Sequence, residues 1–423
     1  MKIQTHLRIL AALLLVSMPV QAFAPNDFLR PYDPVLRLSS SLKTPFKVGV
    51  NVEGGLGNDG KDINGHRVNI LRVYEPTQAY LPALYEAQNA AVTAHLATFD
   101  KSALDDGIRG HVQLRGKLEM ADITPNASWT LELPGLPGKF GVSVAVPVRH
   151  AAVKAITFND VTSNVLPGDL QIRADIHTEA ALKNTLKTYG GPDLEPWSKT
   201  GLGDMTVVLD WSNSYEQKKD SLENVELLAR VGLSIPTAEK RNEDKAFSLA
   251  LGNDGAWSMP FGMGMNLDFK HTVRLTAEAQ FDILFNTTKL YRMKTHDAKT
   301  RFFLLNKGRA TKEHGFTWKF NLGLMSYHFW QGCTVGVNYH YFKHDDDRLV
   351  TKGDDFDSSI LNGARWLKEY TAHHFIFKAN WDGSGIKAFD KITPQVSLFY
   401  KLPVEGKCVM MPHTLGGQLA INF

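Results

Sequence analysis

The chain has 423 residues, with 47 Lys or Arg and 44 Asp or Glu, so its formal net charge is only +3. So small a charge gives no reason to expect a nucleic-acid partner, and two cysteines are too few for a disulfide-stabilised scaffold. Beyond the first 24 residues no run of about 18 apolar residues occurs, which excludes α-helical membrane spans.

The N-terminus has the composition of an export signal. Two basic residues flank the apolar run 9–18, and small-residue cleavage sites end at Ala22 and Ala24. This pattern predicts a signal peptide over residues 1–24. Residues 25–44 are polar and interrupted by proline, and we expect them to form a periplasmic arm or a plug.

Strand and helix patterns follow the arm in turn. Alternation of apolar and polar residues predicts a strand over 46–52 and a weaker one over 68–74. Between residues 77 and 104 apolar side chains recur at three-to-four spacing, with Thr77 as a candidate N-cap, which predicts a helix. We favour a helix that packs against the periplasmic rim of the strand-rich body, and the alternative is that it enters the interior as a constriction.

Alternation resumes at residue 110. It predicts strands over 112–120, 127–133 and 140–146, then over 205–211 and 225–235. The intervening insertion, residues 159–200, is interpreted as an external loop with room for a short strand at 170–176.

The hairpin 261–285 has the clearest pattern. Seven successive odd-numbered residues from Val273 to Phe285 are apolar, while Arg274, Glu278 and Asp282 occupy the other face. Only an extended strand presents two faces with a period of two. The charged face does not suit a sandwich core, but it suits the interior of a membrane barrel whose apolar face meets lipid.

Further strands over 316–324, 335–341, 375–381, 396–402 and 415–423 bring the count to about fourteen, with twelve as the alternative. The connectors alternate between short ones, 270–272 and 330–332, and long polar ones, 236–259, 286–315 and 344–370. This predicts an all-β, antiparallel transmembrane β-barrel over residues 45–423, with long extracellular loops and both termini on the periplasmic side. Cys333 and Cys408 then lie at opposite ends of the barrel and remain free thiols.

Seven charged residues are predicted to line the lumen: Glu226, Arg230, Arg274, Glu278, Asp282, Lys319 and Lys378. Such residues more often form a screened interior network than a specific ligand site, but the selectivity of a channel is set there.

A metal site is the weaker interpretation of His340, His344, His373, His374 and the acidic run 345–347. His373 and His374 point to opposite faces of a strand, so a solvated loop is favoured. No G-x-S-x-G or H-E-x-x-H motif occurs, and the formal G-x-G-x-x-G at 55–60 is interpreted as a turn because no helix opens after it. We expect neither enzyme activity nor a cofactor.

Two features resemble bacterial outer-membrane proteins. The last strand, with Leu419, Ile421 and Phe423, resembles the membrane-insertion signal of their barrels. The segments 201–205, 231–237 and 251–252 resemble the "GLGD … GLxxPTG … LG" pattern of outer-membrane transporters of phenol and hydrocarbon degradation pathways, which are related to FadL-like channels; Ala238 stands where that pattern has Gly.

The resemblance implies an outer-membrane channel for small solutes, hydrophobic ones among them, with the lipid bilayer and the outer-membrane insertion machinery as partners. The alternative is a structural or adhesive barrel with a blocked lumen.

Overall fold

The structure is a computed structural model that describes residues 45–84, 90–97, 109–162, 168–217, 219, 221–270, 272–330, 332–353, 356–383 and 392–423. The predicted signal peptide and arm, residues 1–44, lie outside the described residues. A closed barrel of twelve antiparallel strands dominates the fold. In chain order these strands are β1 (Phe46–Gly57), β2 (His111–Leu131), β3 (Lys139–Ala145), β4 (Met205–Glu216), β5 (Leu222–Ile235), β6 (Ser258–Phe269), β7 (Val273–Leu284), β8 (Thr317–Trp330), β9 (Cys333–His344), β10 (Tyr370–Asp382), β11 (Thr393–Lys407) and β12 (His413–Asn422).

Each strand pairs with its neighbours in the chain, and β12 pairs with β1 to close the barrel. At the seam the N–H of Phe423 donates to the carbonyl of Phe46 at 2.9 Å, and the two rings lie 6.2 Å apart. This seam end of β1 and β12 is also the end of the short connectors between β6 and β7 and between β8 and β9. We call it the turn end, and the opposite end the loop end.

The strand count is the lower of the two predicted values. One of the two extra strands, 68–74, is instead the short strand Arg67–Asn69 followed by the 3-10 helix Ile70–Arg72, in which Ile70 and Leu71 are buried. The other arose because 112–120 and 127–133 are one continuous strand, β2. Pro125 lies within β2 where the strand changes partner from the strand Val148–Asp160 to β3, so its missing N–H interrupts no ladder.

The loop end carries the remaining described strands. A hairpin of Val148–Asp160 and Trp197–Leu202 pairs with the half of β2 nearer the loop end and extends beyond the barrel, and Gln78–Ala79 also pairs with β2. A three-stranded sheet of Thr287–Arg292, Lys307–Glu313 and Arg348–Thr351 covers another part of this end, and a smaller sheet joins Asp59–Lys61, Arg67–Asn69 and Val409–Met410. The described α-helices are Tyr80–Leu84, Ala90–Leu96, Gly168–Ile176, Glu179–Thr188 and Ser358–Asn362, with 3-10 turns Arg301–Phe303 and Arg365–Leu367.

The helix predicted over 77–104 is present as Tyr80–Leu84 and Ala90–Leu96, while 85–89 and 98–104 lie outside the described residues. Its predicted position at the periplasmic rim is wrong: Tyr80, Leu81 and Val92 pack in a core at the loop end, against Ile172 and Met410 among others. The error follows from the strand count, because an extra spanning strand before the helix moves it to the wrong end.

The insertion 159–200 lies at the loop end, as expected for an external loop, but the strand predicted at 170–176 is wrong. The chain there is the helix Gly168–Ile176, and the helix Glu179–Thr188 follows it. The second helix has a recognisable sequence signal, since Thr178 caps Ala181 N–H and Glu179 lies in the first turn.

The barrel wall is apolar outside and polar inside. Leu322 and Leu398 on the outer face are 59% and 57% exposed, whereas the inward Lys319 and Asn321 are each 4% exposed. Among the described residues, none of the helices is long and apolar enough to cross a membrane.

Candidate functional site

The barrel interior holds a chain of ion pairs centred on Arg230. Its guanidinium lies 3.8 Å from Asp210 on β4 and 3.7 Å from Glu278 on β7, and all three side chains are at most 13% exposed. Glu278 accepts a hydrogen bond from Asn321 at 3.4 Å, and Asn321 accepts one from Asn338 at 3.2 Å. Polar contacts therefore cross six neighbouring strands, β4 to β9, near mid-height.

Two glycines on β6 make this reach possible. Gly262 and Gly264 face inward between β5 and β7, in register with Arg230 and Glu278 respectively. A Cβ at Gly264 would lie 2.8 Å from Glu278 Cγ, and one at Gly262 would lie 2.7 Å from the carbonyl oxygen of Ala279. Because Gly262 and Gly264 have no side chains, Arg230 and Glu278 meet across β6.

A second cluster lies toward the turn end. Arg274 forms a two-pronged ion pair with Asp268, at 2.5 and 2.9 Å, and its guanidinium stacks 5.3 Å from the ring of Tyr327. Glu226 lies 3.9 Å from Arg274 and accepts a hydrogen bond from Asn266 at 2.7 Å. These contacts continue the interior chain of polar groups to the mouth of the barrel.

A third cluster lies toward the loop end. Lys319 and Asp282 are 3.6 Å apart, with side chains 5% and 7% exposed, and the ammonium lies 5.8 Å from the centre of the Phe342 ring. Above them His344 shares hydrogen bonds with Thr317 at 2.8 Å and with Asp347 at 2.9 Å. Side chains in this part of the interior leave little surface to solvent.

The far wall carries polar pairs that were not singled out as sites. Lys401 pairs with both carboxylate oxygens of Glu53 at 2.9 and 3.0 Å, and Gln395 donates to Asp382 at 2.6 Å. The alternation along β1 and β11 was a sufficient signal for them, since each lies on the polar face of its strand. Lys378 is half-buried on the face of β10 that also carries His374 and Asn380.

Two cavities lie along this interior. One of about 780 Å³ lies at the turn end, lined by Lys139, Ser212, Asn224, Glu226 and Arg274 among others. The other, of about 130 Å³, lies where β7, β9 and β10 meet the loops, and Leu284, His344 and Tyr370 line it at the ends of those strands. The polar clusters described above lie between the two.

The four candidate metal-binding histidines are separated by the fold. His340 and His374 face the interior with ring centres 6.2 Å apart, whereas His373 faces outward and hydrogen-bonds to Tyr339 at 2.6 Å. His344 contacts Thr317 and Asp347 at the loop end. Within the described part of the chain no group of three or more His, Cys, Asp or Glu is placed to hold a metal ion.

The fold resembles that of solved membrane proteins. An outer membrane channel from Pseudomonas putida matches with a TM-score of 0.52 and 10% sequence identity, over 92% of this chain and 100% of that one. The chain has the fold of an outer-membrane channel. Solved structures that match at lower scores include a Pseudomonas aeruginosa FadL homologue (TM-score 0.31, 8% identity, 96% and 98% covered) and the Pseudomonas putida toluene transporter TodX (0.32, 9%, 90% and 90%). No protein-family model and no curated protein matches the sequence.

Within this outer-membrane-channel fold the motif segments converge at one junction. Asp204 is fully buried and accepts hydrogen bonds from the backbone N–H groups of Asn253 at 2.5 Å and Ala238 at 3.0 Å. The hydroxyl of Thr237 donates to the Gly203 carbonyl at 2.6 Å and accepts from the Met205 N–H at 2.9 Å. These hydrogen bonds fix the position at which the hairpin of Val148–Asp160 and Trp197–Leu202 leaves the barrel wall. Because Ala238 contributes its backbone N–H, the change from Gly at this position keeps the contact.

The predicted insertion signal lies on the closing strand of the channel fold. Leu419 and Ile421 pair with Val50 and Val48 of β1 on the outward face, and Phe423 is 47% exposed beside Phe46. The contacts show how this strand closes the barrel; its role as an insertion signal stays a prediction.

Proposed function

We propose that the protein is a channel of the bacterial outer membrane that passes small solutes. The single observation that carries this proposal is the closed twelve-strand barrel with an apolar outer face and a chain of ionisable side chains along its interior. Replacing buried ion pairs by well-packed apolar residues is often neutral or stabilising, so ion pairs alone are a poor way to fill a barrel. A polar interior therefore favours a water-filled path over a structural core.

The seven predicted lumen residues would set the selectivity of this path. The interior offers both signs of charge at three levels, at Arg274 and Asp268, at Arg230 and Glu278, and at Lys319 and Asp282. A ladder of paired charges gives weak discrimination by sign and favours small polar or amphipathic solutes over bare hydrocarbons. The motif resemblance implies hydrophobic solutes as well. Such solutes lose little hydration on entry, but they would have to displace the hydrogen bonds between the polar side chains of the interior.

A second candidate is a structural or adhesive barrel with a blocked lumen. The low exposure of Lys319, Asn321 and Asn338, each 4%, favours it, since these side chains fill much of the interior between mid-height and the loop end. The cap of strands and helices at the loop end would then be the functional surface.

Single-channel recording in planar bilayers separates the two. The channel predicts discrete, ion-permeable steps from the purified full-length protein. A barrel that inserts, shows the heat-dependent shift in electrophoretic mobility of a folded barrel and yet gives no steps in either polarity would contradict the channel and support the blocked barrel. We further propose that residues 25–44 act as an arm or plug, so their deletion should raise conductance.

A further inference from the structure

The three-stranded sheet at the loop end carries an open groove of about 1000 Å³ on its exposed face. Residues of all three strands line this groove, and none of its described lining residues belongs to a barrel strand. Pockets for small molecules have volumes of about 300–1,000 Å³. The groove is therefore much larger than a single inorganic ion needs, and it has room for a short polymer.

The charges that line the groove are all positive among the described residues. Lys307, Arg309 and Lys352 line it, and no described aspartate or glutamate does. Lys307 and Arg309 lie on the exposed face of their strand, opposite to Ala310, which is 1% exposed on the buried face. Lys352 directly follows Thr351, the pairing partner of Ala310, so its place in the chain is next to Arg309 on the neighbouring strand.

Two of these three cations are available to a ligand. Lys307 pairs with Asp244, a carboxylate that Arg292 also contacts at 2.9 Å. Arg309 and Lys352 are exposed, and within the described part of the chain neither side chain forms an ion pair or a hydrogen bond. Like charges side by side on neighbouring strands are destabilising. An anion bound between these two cations would remove that repulsion.

The uncharged lining of the groove suits a sugar chain. The hydroxyls of Thr288 and Thr311 share a hydrogen bond at 2.8 Å, and Thr351 adds a third threonine to the lining. A hydroxyl both donates and accepts, so the threonine pair keeps further hydrogen-bonding capacity, and sugar hydroxyls have the same dual character. The ring of Phe356 adds an apolar wall against Gly308, where a Cβ would lie 2.7 Å from Cε2 of the ring.

Two other polyanions fit the groove less well. A peptide bound by β-augmentation needs the open backbone edge of a strand, whereas this groove lies on a sheet face and presents side chains. A lipopolysaccharide molecule is anchored by its acyl chains beside the barrel wall, and the wall contributes no described residue to the groove. A soluble sugar chain reaches the groove from water.

We propose that this groove binds a soluble acidic oligosaccharide, with its carboxylates on Arg309 and Lys352 and its hydroxyls on the threonines. Arginine presents a planar fork of donors that matches a carboxylate. The inference rests on the proposed outer-membrane location, which places the loop end outside the cell, but not on conduction. A protein that conducts without binding would overturn the groove alone, and one that binds without conducting would overturn the channel alone.

Isothermal titration of the full-length protein in detergent tests the proposal, with trigalacturonate as the probe. Its trimethyl ester keeps the sugar chain without the charge, and N-acetylated, C-amidated triglutamate keeps three carboxylates without the sugar. We expect trigalacturonate to bind at one site per chain and about tenfold or more tightly than either control. Equal binding of the ester would overturn the role of charge, and equal binding of triglutamate would indicate an acidic peptide and overturn the sugar.

Variants then locate the site. Arg309→Gln and Lys352→Gln should each weaken trigalacturonate binding by about tenfold, and Arg309→Lys, which keeps the charge but not the fork, should weaken it less. Arg348→Gln is the matched control, since Arg348 is an exposed arginine of the same sheet that does not line the groove. All three positions are exposed, so no buried contact is lost in these variants. Wild-type affinity in Arg309→Gln, or an equal loss in Arg348→Gln, would show that the groove is not the site.

Vesicles with and without lipopolysaccharide distinguish the source of the sugar. We expect the same affinity for trigalacturonate in both, because the groove lies away from the barrel wall. A loss of tenfold or more in the vesicles that contain lipopolysaccharide would show that sugars of the membrane itself occupy the groove, and it would overturn a soluble ligand.

Discussion

The carboxylate of Asp204 fills the space that a side chain at Gly252 would need, since a Cβ at Gly252 would overlap it. This carboxylate is buried and accepts hydrogen bonds from two backbone N–H groups. Gly252→Ala should therefore displace Asp204 and lower the free energy of unfolding by about 2 kcal/mol or more, because buried donors lose their acceptor. Urea unfolding in lipid vesicles measures this. Gly141→Ala is the control, since a Cβ there has no neighbour closer than 3.7 Å. Equal costs for both variants would show that the contact at Asp204 has no special importance.

Arg230 bridges two carboxylates, and its removal leaves them unbalanced. Arg230→Gln should make the interior more attractive to cations, because Asp210 and Glu278 lose their shared partner. The reversal potential under a salt gradient in planar bilayers should shift toward cation selectivity. Arg309→Gln removes an equal charge from the exposed cap and should leave the reversal potential unchanged. An identical shift in both variants would place the selectivity outside the barrel.

Leu322 and Leu290 are equally exposed, 59% and 60%, but only Leu322 lies on the barrel wall. Arginine on a lipid-facing wall costs roughly 2–4 kcal/mol, whereas arginine in water costs little. Leu322→Arg should therefore lower the free energy of unfolding in vesicles by about 2–4 kcal/mol. Leu290→Arg should lower it by well under 1 kcal/mol. Comparable losses in the two variants would contradict the assignment of the outer face to lipid.

Glu75 is a buried carboxyl in the loops, 8% exposed, with Oε2 lacking a hydrogen-bond partner among the described residues. Burial raises its pKa to about 7, against the opposing charges of Arg301, Arg365 and Lys294. A raised pKa means that the folded protein retains a proton that the unfolded chain loses. Stability is therefore full below about pH 4.5 and falls as the pH rises toward 7.

Glu75→Gln should remove this dependence and stabilise the protein at pH 8 by at most about 3 kcal/mol. Unfolding midpoints at pH 5 and pH 8 provide the measurement. If the midpoint of Glu75→Gln differs from that of the wild type equally at pH 5 and at pH 8, Glu75 is already ionised at pH 5 in the folded protein and its pKa is not raised.

Cys333 and Cys408 are both free, at opposite ends of the barrel, as the sequence predicted. Burial raises the pKa of the Cys408 thiol to about 11, so it should react slowly with thiol reagents at pH 8, and Cys333 should react first. Mass spectrometry after timed alkylation follows both. An intramolecular bridge between them would contradict the strand order of the barrel.

Local sequence determined the wall of the barrel. The period of two along β7 and β8 assigns each residue to a face without reference to any other strand, so Arg274, Glu278, Asp282 and Lys319 could be identified as one polar set. The short connectors at 270–272 and 330–332 likewise indicated which strand ends lie together. The sequence did not give their partners, since the approach of Arg230 to Glu278 depends on Gly262 and Gly264 of an intervening strand.

Tertiary structure decided what lies beyond the wall. The continuity of β2 through Pro125 depends on the other strands, because the exchange of partners at that residue makes its missing N–H harmless. The segment around Leu71 has strand-like residues but is buried in a core built from distant loops, and that burial outweighs its β propensity. The groove with Arg309 and Lys352 joins side chains 43 positions apart, which no local period reports, because the two segments that carry them pair only when the loops pack on the barrel.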